Sequence, residues 1–372
     1  MSLRPALIPV LLLMTVVGLP VTAAGDPVVN NYYVYVAAES DDAVFLVKFG
    51  PEGGRVVQRI PVGIFPTEIE GPHGVRVAPG GHYWYVSIAH GNPYGYVYKY
   101  ATSDNAAIND TKVGLFPATM DISSTTGLMF VVNFNLHGDM VPSTVSVIDT
   151  SSMTEIAAIE QGIMPHGSRT SPDGKFHYSV GMMSDELYEI DVMKLEVSRK
   201  LPLVEMAGHE GHNMNSGEHQ MAVAKPTWVQ PHPTRRLAYV ALQGVDQVAE
   251  VDLQDWKITR RFNTQKGPYN LAVSPNGKLL VATCKPNHST AVWDLESGRE
   301  LASVPASRKI THGVTISSDN RFAFVSVEGV GGDPGTVDVI DLQSFEVRAS
   351  IDIGKQASGI DFWKMEGPGS VP

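Results

Sequence analysis

Residues 171–191 read SPDGKFHYSVGMMSDELYEID, and this stretch decides the fold. Asp173-Gly174 predicts a tight turn, because glycine tolerates the positive φ that a two-residue hairpin needs. The runs on either side alternate with a period of two, which indicates strands, and no helical period persists. The stretch therefore predicts a turn, a strand, a loop and a second strand that ends in Asp191.

Variants of this pattern recur along the chain. Short β-rich runs finish in an acidic residue at Asp149, Asp191, Asp252, Asp294 and Asp341. The successive spacings are 42, 61, 42 and 47 residues, which suits one four-stranded propeller blade per unit. We count seven units, over residues 31–70, 71–117, 118–165, 166–226, 227–268, 269–310 and 311–356.

The C-terminal segment predicts how the ring closes. Residues 357–363 (ASGIDFW) match the first strand of a unit, such as residues 72–78 (PHGVRVA), and the first unit lacks that strand. We therefore expect the C-terminal strand to complete blade one, which leaves no long open sheet edge. The sequence predicts an all-β, seven-bladed β-propeller of four-stranded antiparallel blades over residues 31–363, with a flexible tail at 364–372.

Composition and charge exclude several classes of protein. The 372 residues carry 28 Lys+Arg and 39 Asp+Glu, for a formal charge of −11. Because there is no basic run, we expect no nucleic-acid partner and no anionic membrane surface. The single cysteine, Cys284, excludes an internal disulfide, a cysteine-ligated iron–sulfur cluster and covalent haem.

Residues 1–24 are typical of a secretory signal peptide. Arg4 supplies the positive charge, residues 7–19 form an apolar segment too short to span a bilayer, and residues 22–24 are small. No second apolar stretch of membrane length follows. We therefore expect a periplasmic or secreted protein, monomeric and without a membrane span after signal cleavage.

Nine of the twelve histidines are predicted to lie on one face of the propeller, where the loops that lead into each first strand meet those that join the second and third strands. His73, His166 and His312 occupy the same position before the first strands of blades two, four and seven, nearest the axis. A spacing of about 51° per blade lets their side chains converge. His90 and His137 lie in loops of the same face. Imidazole binds Cu, Zn, Fe and Ni, so we predict these five as metal ligands; ordinary hydrogen bonds to neighbouring loops are the alternative.

The longest spacing contains an insertion at about 202–226, directly before blade five. It carries further candidate ligands, namely His209, His212, His219, Met214 and Met221. Imidazole together with thioether is the combination that soft copper prefers, so copper is the predicted metal, with zinc or non-covalent haem as alternatives. A solvated loop of incidental composition is the competing interpretation.

Four charged residues are predicted to line the central channel. Asp361, Arg76, Asp121 and Arg169 share one position on the first strands of blades one to four. Neighbouring strands would then alternate in charge, and we expect ion pairs that fix the registry of the blades. Binding of an anionic ligand is the alternative.

The repeat resembles the YVTN-type β-propellers, a family of exported seven-bladed proteins, over nearly all of residues 31–363. The resemblance rests on the Pro-x-Gly starts, the Ser-Pro-Asp/Asn-Gly turns, the Tyr-Val strands such as residues 237–241 and the Val-x-Val-Ile-Asp strands. It implies a fold similar to the propeller domains of nitrous-oxide reductase, haem-containing nitrite reductases and lactonase-like enzymes. Fold alone does not choose among these functions.

Three functions follow from these observations. The first is a periplasmic propeller that binds a transition metal on its histidine-rich face, for metal handling or redox, with a periplasmic redox or metal-handling protein as partner. The second is a lactonase-like metal-dependent hydrolase or lyase, although Glu39 and Glu328 are the only carboxylates near the axis on that face. The third is a non-catalytic scaffold that binds a partner through its loops.

Overall fold

The two turn motifs of the repeat fold by the same local chemistry in successive blades. In the Ser-Pro-Asp-Gly turn, the Ser171 hydroxyl donates to Asp173 at 2.6 Å, and Gly174 takes a φ of 70°. In blades three to seven the third strand ends in an aspartate that closes the following turn; in blade four, for example, Asp191 Oδ1 accepts the backbone N–H of Met193 at 2.9 Å. Each unit therefore folds as a meander of antiparallel strands, as the residue pattern predicts.

A computed structural model describes residues 26–65, 67–91, 93–204 and 222–368, which form seven four-stranded sheets. Blade one consists of β28 (Ala357–Glu366), β1 (Asn31–Ala38), β2 (Ala43–Gly50) and β3 (Gly53–Pro61). Blade two consists of β4 (Pro72–Val77), β5 (Tyr83–Ile88), β6 (Gly95–Ala101) and β7 (Ala107–Val113). Blade three consists of β8 (Pro117–Ile122), β9 (Leu128–Asn133), β10 (Pro142–Asp149) and β11 (Thr154–Ile163).

Blade four consists of β12 (Pro165–Thr170), β13 (Phe176–Gly181), β14 (Glu186–Asp191) and β15 (Glu196–Pro202), and blade five of β16 (Pro226–Pro231), β17 (Leu237–Leu242), β18 (Gln247–Asp252) and β19 (Lys257–Asn263). Blade six consists of β20 (Pro268–Val273), β21 (Leu279–Cys284), β22 (Ser289–Asp294) and β23 (Glu300–Pro305). Blade seven consists of β24 (Thr311–Ile316), β25 (Phe322–Val327), β26 (Thr336–Asp341) and β27 (Glu346–Asp352). Three 3-10 helices lie in loops between second and third strands, at Glu39–Asp41, Gln243–Val245 and Lys285–Asn287. No helix in the described part of the chain combines the length and apolarity that crossing a membrane requires.

The predicted seven-bladed propeller and its closure are confirmed. β28 pairs antiparallel with β1, and Ile360 lies opposite Val36. This strand continues to Glu366 and so includes the first three residues of the predicted flexible tail, because Met365 still pairs with Tyr32 of β1. The first strands of the seven blades contact one another around the axis, and apolar side chains fill the space between neighbouring blades. At the closing seam, the rings of Tyr32 and Phe322 pack edge to face at 5.0 Å.

The predicted charges of the inner wall form ion pairs between blades. Arg76 Nε lies 2.8 Å from Asp121 of blade three, and Arg76 Nη1 lies 3.3 Å from Asp361 of blade one. The same carboxylates accept backbone N–H groups of the next blade, at 2.7 Å from Thr170 and 2.8 Å from Val77. Each of these carboxylates therefore fixes the position of a neighbouring first strand along the channel axis and also balances the charge of Arg76.

The fourth charged residue of the wall is held differently. Arg169 lies 4.4 Å above the ring of Trp228 and donates to the carbonyl of Ser168 at 2.8 Å. Burial and the neighbouring charge of Arg76 lower the pKa of Arg169 to about 10. Its pKa remains above neutrality, so the guanidinium is charged at pH 7; the charges of Asp121 and Asp361 and the aromatic face of Trp228 stabilise it.

We predict that Asp121→Asn destabilises the propeller by about 3–5 kcal/mol, because it removes a buried carboxylate and leaves half-buried Arg76 without its closest partner. Chemical denaturation measures this difference. The matched control is Asp255→Asn, whose pair with Lys257 is exposed and should change the unfolding free energy by less than about 1 kcal/mol.

The same variant should also change how the free energy of unfolding depends on pH in the acidic range. Burial alone would raise the pKa of Asp121, but Arg76 and Arg169 outweigh burial and lower it below its ordinary value. A lowered carboxyl pKa stabilises the fold above pH about 4 and loses that contribution as pH falls through the folded-state pKa. The difference in unfolding free energy between wild type and Asp121→Asn should therefore have its full value above pH about 4 and become smaller below it. A gap that stays constant with pH would contradict this account.

Candidate functional site

One position at the start of the first strand lines the mouth of the channel in all seven blades. Its residues are buried, and in blade order they are Ser358, His73, Ala118, His166, Thr227, Tyr269 and His312. Sequence reasoning selected the three histidines but missed Tyr269. The signal was present, because Pro268-Tyr269 aligns with Pro72-His73.

A glycine after each histidine explains how these side chains reach one another. A Cβ atom placed on Gly74 would meet the carbonyl oxygen of Ala118, in the next blade, at 2.5 Å. A Cβ on Gly167 would likewise collide with the carbonyl of Thr227. Glycine therefore lets neighbouring first strands approach closely at the height where the histidines lie.

The three histidines converge on one side of the mouth. The ring of His73 lies 5.3 Å from that of His312 and 6.0 Å from that of His166, centroid to centroid. The ring of Tyr269 completes the cluster, at 5.1 Å from His166 and 4.9 Å from His312. Four rings from blades two, four, six and seven therefore meet in a buried group.

Glu39 brings a carboxylate into this group. It begins the 3-10 helix of blade one, is 5% exposed, and places Oε1 at 2.6 Å from His73 Nδ1. Its Oε2 accepts a hydrogen bond from Gln356 Nε2 at 2.8 Å. Burial alone would raise the pKa of Glu39, but the charge and hydrogen bond of His73 outweigh burial and hold it well below its usual range. Glu39 is therefore an ionised buried carboxylate.

The hydrogen bonds of His166 fix its tautomer. Nδ1 lies 2.9 Å from the carbonyl oxygen of Thr227, which can only accept, so Nδ1 carries the proton. Nε2 then accepts from the Tyr269 hydroxyl at 2.8 Å. Burial lowers the pKa of His166 to about 3, with a smaller effect from His73, so this imidazole is neutral at physiological pH.

Two imidazole nitrogens in the cluster have no hydrogen-bond partner among the described residues. They are His73 Nε2 and His312 Nδ1, both buried. Burial and the charge of Lys285 lower the pKa of His312 well below its ordinary value, so its ring is neutral. Glu39, His73 and His312 each offer one ligand atom, and these atoms all lie within 4.8 Å of one another. Unpaired buried polar atoms are rare in proteins, and a bound ion or water is a common reason for them.

A small cavity on the axis adjoins these nitrogens. It has a volume of about 20 Å³ and is lined by His73, His312, Arg169, Trp228 and Asn270, among others. Trp228 Nε1 and Asn270 Oδ1 also have no hydrogen-bond partner among the residues that the structure describes. The lining of the cavity is mixed, with apolar side chains beside these polar atoms, and the cavity has room for about one water-sized ligand.

An ion pair joins blades six and seven beside the histidines. Lys285 Nζ lies 2.7 Å from Glu328 Oε1, which in turn is 3.9 Å from His312 Nε2. The same ammonium lies 4.4 Å from the centre of the Tyr269 ring. Sequence reasoning named Glu328 but missed Lys285, which occupies the equivalent position after the second strand of its own blade.

His90 and His137 lie on the outer side of Glu39. His90 Nε2 is 3.5 Å from Glu39 Oε2, and His137 Nε2 is 3.4 Å from His90 Nδ1. His90 is half-buried and His137 is exposed. Phe116 packs against both rings and against His73. The structure therefore brings all five of the predicted mouth histidines, His73, His90, His137, His166 and His312, into contact with Glu39 or with one another.

The remaining candidates divide into two groups. The ligands predicted in the insertion lie outside the described residues, and these are His209, His212, His219, Met214 and Met221. His288 is held away from the axis, because its Nδ1 accepts the backbone N–H of Ile310 at 2.9 Å. Cys284 is buried, and burial raises the pKa of its thiol to about 12, so it is unreactive.

Comparisons with known proteins are consistent with the fold. No family model matches the chain, so the family resemblance stays a prediction. Antigen Lp49 of Leptospira interrogans is 21% identical over 240 residues, which cover 58% of this chain; the chain spans about half of Lp49, at 49%.

Two solved structures share the propeller. Hydrazine synthase of Kuenenia stuttgartiensis superposes with a TM-score of 0.62 and 16% identity, over 87% of this chain and 99% of that one. The periplasmic gluconolactonase PpgL of Pseudomonas aeruginosa superposes with a TM-score of 0.72 and 15% identity, over 89% and 99%. At such identity the likeness shows the fold alone.

We predict that Gly74→Ala destabilises the propeller by about 1–3 kcal/mol, because the added methyl group meets the carbonyl of Ala118 in a closely packed contact. Urea denaturation measures the change. Gly332→Ala is the matched control, since a Cβ there meets no heavy atom within 4 Å, and it should be neutral or slightly stabilising. Equal effects of the two substitutions would refute the role assigned to Gly74.

Proposed function

We propose that this chain binds one divalent transition-metal ion at the mouth of the propeller, through Glu39, His73 and His312. The observation that carries the proposal is the cluster of Glu39, His73 and His312, in which one ligand atom from each residue lies within 4.8 Å of the others. His73 Nε2 and His312 Nδ1 are in addition buried and without a hydrogen-bond partner among the described residues. Two imidazoles and one carboxylate are a common ligand set for zinc and for ferrous iron. Copper(II) binds such nitrogen and oxygen donors most tightly of the divalent first-row ions, so copper is the first ion to test.

The groups around these ligands suit a metal site. Gln356 holds the second oxygen of Glu39, and Lys285 balances the charge of Glu328, so Glu39 is the carboxylate left to balance an ion. His166 is a positioned neighbour rather than a ligand, because its Nε2 already accepts the Tyr269 hydroxyl. Such fixed outer groups orient ligands and raise the affinity of metal sites.

The proposed role is metal handling or redox outside the cytoplasm. A bound ion would supply Lewis acidity or, if it is copper or iron, a site for electron transfer. The signal-like residues 1–24 support export, and a periplasmic metal-handling or redox protein is the proposed partner. The buried position of the ligands favours an ion that is held rather than freely exchanged.

We expect the chain, purified without an affinity tag, to bind one equivalent of copper and to bind zinc more weakly. Metal analysis gives the stoichiometry, and competition with a chelator of known affinity gives the dissociation constant. His73→Ala and His312→Ala should each weaken binding by at least about 100-fold, since each removes a direct ligand. His82→Ala, on the exposed opposite face, is the matched control and should bind normally.

Two outcomes would contradict the metal site: a folded wild-type chain that retains no ion after loading, or binding whose dissociation constant is unchanged by both histidine substitutions. Deleting residues 205–221 tests the insertion separately. If its methionines supply the copper preference, the deletion should narrow the difference between copper and zinc affinity while one equivalent remains bound.

The second candidate function, a lactonase-like hydrolase, uses the same mouth of the channel, and the Lys285–Glu328 pair favours it. An ammonium and a carboxylate beside His312 can polarise a carbonyl and accept a proton. A pocket of about 140 Å³ lined by Glu328, Lys355 and Gln356 offers room for a small polar molecule.

Gluconolactone, the substrate after which one structural neighbour is named, is the substrate to test. Opening of the lactone above the spontaneous rate, with loss in Glu328→Gln, would establish this function; no acceleration with or without added metal would exclude it for that substrate.

A further inference from the structure

Four side chains form a continuous line from the protein surface to the buried ligands. The line runs from His137 to His90 at 3.4 Å, from His90 to Glu39 at 3.5 Å, and from Glu39 to His73 at 2.6 Å. His90 takes part in two of these steps, because its Nδ1 lies near His137 and its Nε2 lies near Glu39. Every step is shorter than 4 Å and joins two groups that can ligate a metal ion.

The outer step has the spacing of a two-histidine metal site. Two imidazole nitrogens on one tetrahedral ion, each at about 2.0–2.1 Å from it, lie about 3.3 Å apart. The observed separation of His90 Nδ1 and His137 Nε2 is 3.4 Å, which is long for a hydrogen bond. The two nitrogens are separated by the distance that two ligands of one shared ion would need.

The surroundings hold these two rings in place. Phe116 packs edge to face against His90 at 5.1 Å and against His137 at 5.6 Å. A side chain at Gly71 would collide with the ring of His90, so glycine there leaves the space that the ring fills. The loop of His137 is braced by Asn135, which accepts the N–H of Gly138 at its carbonyl and donates from Nδ2 to the carbonyl of Asp139.

The buried ligands need such a route. Glu39, His73 and His312 are only 4–6% exposed, so a hydrated ion cannot reach them without losing its water. His90, by contrast, is 29% exposed and His137 is exposed. Ligand exchange along a line of nitrogen and oxygen donors replaces the lost water step by step.

We infer that His90 and His137 form an uptake site, which captures the metal ion from solution or from a donor protein and passes it through Glu39 to His73 and His312. This inference rests on the proposed metal site and adds to it a second, exposed site and a direction of transfer. The ion keeps its charge throughout, and only its ligands change.

The test separates the rate of uptake from the affinity at equilibrium. Copper(II) is mixed with the full chain in a stopped-flow spectrometer, and its final stoichiometry and dissociation constant are measured on the same samples. His137→Ala should take up the ion at least tenfold more slowly while its stoichiometry stays at one and its dissociation constant changes less than threefold. His82→Ala serves again as the matched control and should load at the wild-type rate.

A second variant isolates the outer pair. In His312→Ala the buried site is weakened, and one loosely held copper ion should remain on His90 and His137. Adding His137→Ala to that variant should remove the remaining ion, which the absorption of the copper–imidazole complex would report.

The outcomes distinguish the two proposals. A wild-type chain that binds no copper overturns the metal site and the uptake site together. Wild-type uptake rates in His137→Ala, with the buried ion still bound, overturn the uptake site alone. Unchanged copper uptake combined with slower proton release in His137→Ala would also overturn it and would assign the same line of residues to proton transfer.

Discussion

The close approach of the seven first strands around the axis is the constraint on which the rest of the structure depends. Glycine after the mouth histidines makes this approach possible, since a methyl group at Gly74 or Gly167 would strike the backbone of the next blade. Because the strands lie so close, residues from blades two, four, six and seven meet in one cluster. The same crowding buries the groups near the axis, and therefore the charges there need partners.

Charge balance along the axis follows from that crowding. Arg76 pairs with Asp121 and Asp361 on the inner wall, and Lys285 pairs with Glu328 at the mouth. These pairs connect different blades, so they fix the geometry of the ring while they satisfy buried charges. The imidazoles differ from them, since His73 Nε2 and His312 Nδ1, like Trp228 Nε1 and Asn270 Oδ1 beside them, have no hydrogen-bond partner among the described residues. That contrast distinguishes a ligand-binding group from structural ion pairs.

The propeller itself carries little functional information. Hydrazine synthase and a gluconolactonase share this ring with the chain at 15–16% identity, which shows one scaffold carried by very different sequences. Function must therefore be argued from the mouth, where blade loops supply Glu39, His90 and Lys285 around a ring of strand residues. The proposed buried site and uptake site use different loops, so substitutions can separate them.

The sequence by itself determined the seven blades, the closing strand and the position of His73, His166 and His312 at the start of the first strands, because turn chemistry and strand period fix which way each residue points. Only the tertiary structure decided which of them meet. It joined His73 and His312 to Glu39, engaged His166 with Tyr269, and turned His288 to a backbone amide. Distances across the channel depend on how closely whole blades pack, and a repeat pattern read along the chain contains no measure of that packing.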